Sequence, residues 1–166
     1  MTAVAMCAVV TVAATGDKRG EFDVGGHFDI ITARYIFVEN KAGEIVVSLT
    51  ANDYGDGSVR TRSAQGDALV ELTSTVDSKG TVTTYQNGHT PLVALGTSWN
   101  GQGSVTTYQP NGKKLVYLAA NNNGGGIAVY NKTGETIADM VADEYGNGEV
   151  GAWNRKGKGR TLQPGP

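Results

Sequence analysis

Short runs in which apolar and polar residues alternate follow one another along most of the chain, and the pattern returns with a spacing close to 23 residues. Gly103-Ser-Val-Thr-Thr-Tyr108 leads through Pro110-Asn-Gly112 to Leu115-Val-Tyr-Leu118. Gly80-Thr-Val-Thr-Thr-Tyr85 leads through Asn87-Gly88 to Leu92-Val-Ala-Leu95, and Gly125-Gly-Ile-Ala-Val-Tyr130 leads through Gly134 to Ile137-Ala-Asp-Met140. Weaker copies open at Gly57 and Gly148. A period of two is the mark of strands, and a glycine between two runs supplies the positive φ of a tight turn. Each unit is predicted as strand, turn, strand, and then a longer loop rich in Gly, Asn and Asp, such as 52–57, 121–126 and 143–148. None of these segments carries a helical period. A unit this small must lie against its neighbours to bury anything. The pattern therefore predicts an all-β repeat protein of stacked two-strand units, of the β-solenoid or trimeric β-stalk type, with about six units of 23 residues in residues 28–166.

The ends depart from the pattern. Residues 1–14 form an apolar run too short to span a bilayer as a helix, with no Lys or Arg before it. It reads as an anchor, an export remnant or an assembly segment. Residues 15–27, with Gly16, Gly20, Gly25 and Gly26, read as a linker. Phe28–Glu39 is rich in β-branched and aromatic residues and is predicted as a buried strand or strand pair, the start of a degenerate first unit. After Trp153 the Leu-Val-x-Leu run gives way to Lys158-Gly-Arg-Thr-Leu-Gln-Pro-Gly-Pro166, where the prolines are expected to end the pairing and protect a sheet edge. Arg155, Lys156, Lys158 and Arg160 read as a solvated cap.

Strand parity separates two sets of side chains. Val82 with Thr84, Val105 with Thr107, and the pairs Val70–Leu72, Val93–Leu95 and Val116–Leu118 share one face, expected to be the inward, core-packing one. Thr61, Thr84 and Thr107 belong to it, which argues against a water-ordering threonine array. Tyr85, Tyr108, Tyr130 and Trp153, with Leu69, Leu92, Leu115 and Ile137, fall on the other face. A sheet with one wet face would not place an aromatic and a leucine column outside. This second face is expected to be buried too, by the coil curling on itself as a closed monomeric solenoid or by copies of the chain. Copies are the favoured reading, with these eight residues as the interface of a homo-oligomer, trimer or filament.

Composition bounds the chemistry. A formal net charge of -2 gives no footprint for nucleic acid, and 24 glycines among 166 residues describe many turns over a thin core. Cys7 is the single cysteine, which rules out an intrachain disulfide. His27 and His89 lie in the linker and a turn without a partner at triad spacing. Asp53, Asp56, Asp143 and Glu144 could offer calcium its oxygens, but the loops of the other units do not repeat those carboxylates. Gly124-Gly-Gly126 has no following lysine or helix, so it is no phosphate loop. No catalytic residue, metal or cofactor is assigned, and the chain is expected not to be an enzyme. The loop aromatics Tyr54, Trp99 and Tyr145 could stack on sugar rings.

The G-x-V-x-x-Y-N/Q-x-x-G-x-x-L-V-x-L units, the leading Phe28-Asp-x-Ile-x-Ala-Arg-x-Ile-x-Val38 and the closing Trp153-Asn-Arg-Lys-Gly-Lys-Gly-Arg-Thr-Leu-Gln-Pro-Gly-Pro166 resemble a group of bacterial repeat proteins, without an assigned activity, that often follow an N-terminal export or anchor segment. The likeness covers roughly residues 28–166 and implies an envelope or extracellular setting. MORN repeats are similar in length and in having two strands per unit; they serve as a geometric analogue, since their aromatics after the opening glycines are Val or Ile here. The resulting expectation is a self-associating structural protein at the cell surface, attached to membrane or envelope through its N-terminus. The alternative is a carbohydrate-binding or adhesion module.

Overall fold

The structure is a computed structural model and describes residues 32–98 and 101–164. The segment 1–14, the linker 15–27 with His27, residues 28–31 and Trp99 lie outside the described residues. From Ala33 onward the chain forms one compact unit.

Twelve strands follow one another: β1 Ile36–Glu39, β2 Ile45–Ala51, β3 Gly57–Arg62, β4 Ala68–Ser74, β5 Gly80–Gln86 and β6 Thr90–Thr97. Then come β7 Gly103–Tyr108, β8 Lys114–Ala120, β9 Gly125–Tyr130, β10 Thr136–Ala142, β11 Gly148–Trp153 and β12 Gly159–Leu162. Each pairs antiparallel with the next, in sequence order, to give one open sheet. The all-β repeat architecture is as the sequence pattern predicts. The units join edge to edge, two strands at a time, and among the described residues only β1 and β12 have a single neighbour.

One turn is used nearly throughout. In nine of the eleven connections the first residue's carbonyl accepts from the amide three residues on, as in Gly43 N to Asn40 O at 2.9 Å and Gly157 N to Asn154 O at 2.9 Å. Its own amide donates to the carbonyl four residues on, as Asn131 to Glu135 at 2.9 Å. The fourth residue is left-handed, and apart from Ser78 it is glycine. When the first residue is Asn or Asp, its side-chain oxygen takes further amides: Asn131 Oδ1 accepts from Thr133 N at 2.9 Å and Glu135 N at 3.1 Å. The segments expected as longer loops at 52–57 and 143–148 are this same turn. Their length came from counting the strands' first glycines as loop. The exceptions lie at Asn87-Gly88, where two successive residues are left-handed, and at Asn121–Gly124, one residue shorter. That shorter turn is why Gly125 stands 22 rather than 23 residues after Gly103. Asn131→Ala is expected to cost about 0.5–1.5 kcal/mol in a chemical melt, since it leaves the two amides without their side-chain acceptor.

Two expectations about the ends are corrected. The described part of that stretch, residues 32–39, supplies one exposed strand, in which Phe37 is 51% exposed, rather than a buried one; residues 28–31 lie outside the described residues. As the first described strand it has a neighbour on one side only. The C-terminal tail does not end the pairing after Trp153: Leu162 stands opposite Val150 and Arg160 opposite Ala152. The ladder needs backbone groups, not apolar side chains, and Pro164 falls beyond the last rung.

Candidate functional site

The register gives each face of the sheet a definite composition. On the first, one row crosses every strand: Ile36, Leu49, Val59, Leu72, Val82, Leu95, Val105, Leu118, Ile127, Met140, Val150 and Leu162 stand opposite one another in turn. All twelve are aliphatic or methionine. Beside it runs Val38, Val47, Thr61, Val70, Thr84, Val93, Thr107, Val116, Val129, Ala138, Ala152 and finally Arg160, the one charge in either row. On the other flank lies a row of small residues, in which Ala51 pairs Gly57, Ser74 pairs Gly80, Thr97 pairs Gly103, Ala120 pairs Gly125 and Ala142 pairs Gly148.

This face was expected to be the core. Among the described residues nothing covers it: Leu72 is 50% exposed, Leu95 and Leu118 45%, Met140 57% and Leu162 75%. A single-layer sheet has no second layer to lay on its apolar side, whatever the quality of its pattern.

The opposite face is the more sheltered one. Ser48, Thr106, Ala119 and Gly151, all of them buried, lie on it by alternation. Its middle row reads Phe37, Ser48, Arg60, Glu71, Thr83, Ala94, Thr106, Tyr117, Ala128, Asp139, Gly151 and Thr161. At the β1–β5 end Arg60 Nη2 is ion-paired with Glu71, and Tyr85 Oη donates to Glu71 Oε2 at 3.0 Å. Burial, then the Glu71 carboxylate, hold the Tyr85 phenol above its ordinary titration range. A depression of about 700 Å³ opens there, lined by Ser48, Thr50, Ser58, Arg60, Arg62, Glu71 and Thr73 among others.

The expected interface residues are placed as follows. Tyr85, Tyr108, Tyr130 and Trp153 sit at one level on the sheltered face, half-buried, opposite Pro91, Lys114, Thr136 and Gly159. Trp153 lies over its own sheet: a Cβ on Gly151 would stand 2.0 Å from its Cη2, and one on Gly159 would stand 2.3 Å from its Cδ1. Leu69, Leu92, Leu115 and Ile137 are the extra, unpaired residues of β-bulges, one per unit. The sequence holds a trace of this: Tyr85 and Val93 are eight residues apart, and so are Tyr108 and Val116, with one residue too many for the turn just described. Tyr54 and Tyr145 are 60% and 80% exposed in turns eight strand spacings apart, ~38 Å along the sheet, so the structure does not bring them together. His89 lies in the turn after β5, and among the described residues no group of three His, Cys, Asp or Glu side chains converges on a metal position.

Asp139 was not singled out from the sequence. Its Oδ1 is shut off from solvent without a hydrogen-bond partner. Burial, then the neighbouring Glu149 carboxylate, raise its titration above the usual carboxyl range. The fold therefore disfavours the ionised form, and any stability gained through the neutral acid is lost as pH rises through the raised value. Asp139→Asn is expected to melt higher than wild type at neutral pH, with the gap closing as the solution is acidified below the carboxyl's titration; thermal melts across that range check it.

No family model matches the chain, and no curated protein matches it.

Proposed function

We propose that the chain is a non-enzymatic structural element that works by associating with copies of itself. The observation that carries this is the aliphatic row running unbroken across all twelve strands, with nothing over it among the described residues. Its exposed members, with Val38, Val70 and Val116, present on the order of 1,000 Å² of apolar surface, against the few hundred Å² tolerated on a soluble monomer and ~800 Å² per partner in a standard interface. The tyrosine column, part of the expected interface, stays half-buried on the sheltered side and is the lesser candidate, while the bulge residues Leu69 and Leu115 are 43% and 37% exposed. A cell-surface or extracellular setting, and attachment through residues 1–14, follow from the resemblance to exported repeat proteins and the apolar composition of that segment. The native mass of the full chain, read by light scattering over a thousandfold range of concentration, tests association. A particle heavier than one copy supports it, and a monomer throughout sinks it.

A second reading has one observation in its favour. The half-exposed Trp153 indole and the unpartnered Asp139 oxygen lie on the same polar face, a stacking plate and a hydroxyl acceptor for a carbohydrate. Retardation of the protein in gels containing a soluble glucan, lost in Trp153→Ala, would favour it over the structural role.

A further inference from the structure

The glycines of the sheet fall into groups by what requires them. The turn glycines take positive φ, from 75° at Gly88 and Gly157 to 154° at Gly124, where a side chain would be strained. Gly96, Gly126, Gly151 and Gly159 are in contact, with a neighbouring atom 2.0–3.3 Å from the position of a Cβ. Gly57, Gly80, Gly103, Gly125 and Gly148 meet neither condition. Their φ lies outside the left-handed region, and nothing stands within 4 Å of where a Cβ would be. Each is the first residue of its strand, and glycine there loses more chain entropy on folding than alanine would, yet the chain places one at the same point of five successive units. Among the described residues of one copy, no contact or backbone angle calls for it.

These five lie in the small-residue row beside the exposed aliphatic row. Two shallow depressions lie along the last three of them: one of about 400 Å³ between Gly103, Gly125, Leu118, Ile127 and Met140, the other of about 300 Å³ at Gly125, Gly148 and Met140. Strand glycines free of strain mark places where another backbone or ligand comes close. The occupant must be apolar, long enough to run the length of the sheet, and spaced as the strands are. A second copy of this chain meets all three requirements. Its leucine row has the same strand-to-strand spacing, and the apolar surface it brings, on the order of 1,000 Å², is comparable with the ~800 Å² per partner of a standard interface.

Resting on the self-association proposed above, we infer that the five opening glycines form the seat on which a second copy lays its leucine and methionine side chains. The seat and the protruding row lie side by side on one face, so the contact is self-complementary, as a two-fold interface requires.

The test is the full chain carrying Gly80→Val and Gly103→Val, compared with wild type by sedimentation equilibrium and far-ultraviolet circular dichroism. The expected result is an unchanged β spectrum, a midpoint of chemical unfolding at dilution equal to or above that of wild type, and association weakened at least 100-fold. Gly80→Ala alone should weaken it about tenfold. Association at wild-type strength in the valine variant would overturn the glycine seat and leave self-association standing. A wild-type chain that stays monomeric would overturn both. Loss of the β spectrum would also overturn the seat, because it would show that the lone chain needs these glycines.

Discussion

Leu95→Asp combined with Leu118→Asp is expected to convert the associated protein to single, folded copies. Both side chains are 45% exposed in the lone sheet, so a carboxylate at either place reaches water and costs the monomer little. In the associated state the same carboxylates would be shut between apolar rows without a partner. An unpaired charge buried in this way costs several kcal/mol. At about 1.4 kcal/mol per tenfold, a penalty of ~4 kcal/mol weakens association by about 1,000-fold. Light scattering at matched concentrations reads the change. Thr83→Asp, on the polar face, serves as the control and should leave the mass of the particle where it was. An equal loss in the control would move the interface to the sheltered face, where Tyr85, Tyr108 and Tyr130 lie.

The second large effect is expected at the seat of Trp153. In Gly151→Ala the new methyl would stand 2.0 Å from Cη2 and 2.6 Å from Cζ2 of the indole, so the ring must swing off the sheet. Gly159→Ala is tighter in kind: its methyl would stand 2.2 Å from the Ala152 carbonyl oxygen, which belongs to the ladder and cannot turn away. Gly151→Ala should destabilise by about 1–3 kcal/mol, the usual cost of overfilling a packed site. Gly159→Ala should release β12 from β11 while the rest of the sheet persists. Amide hydrogen exchange tells the two apart. Protection is expected to fall across β11 and both its neighbours in the first variant, and only at Gly159–Leu162 and the β11 amides that face it in the second.

Much of the architecture was legible in the residues because it is locally encoded. Strands such as Val105-Thr-Thr-Tyr108 and Ile127-Ala-Val-Tyr130, closed by Gln109-x-x-Gly112 and Asn131-x-x-Gly134, specify their own conformation and their turn, and five approximate copies make the phase unmistakable. Parity correctly grouped Val82 with Thr84 and Val116 with Leu118 and set Tyr85 and Tyr108 against them. The mistakes have physical causes. Segments 52–57 and 143–148 looked longer than turns because the strands' first residues are glycine, which alternation cannot count. Leu69, Leu92, Leu115 and Ile137 were assigned a face by strict alternation, but a bulge inserts one residue and breaks the period of two. Asp139 carries no motif, and its isolation arises only from the side chains that close over it in the folded sheet.

By itself, then, the sequence determined strands, turns, their order and which side chains share a face, since each depends on residues adjacent in the chain or on pairing between consecutive strands. The tertiary structure decided which face is sheltered. That outcome depends on whether a second layer exists to receive the apolar side, and the amphipathic pattern of a strand is the same whether the layer comes from its own chain or from another copy. The Trp153 indole resting on Gly151 and Gly159, and the five strand glycines with open space above them, became visible for the same reason: only three-dimensional neighbours distinguish a glycine required by its own chain from one that leaves room for something else.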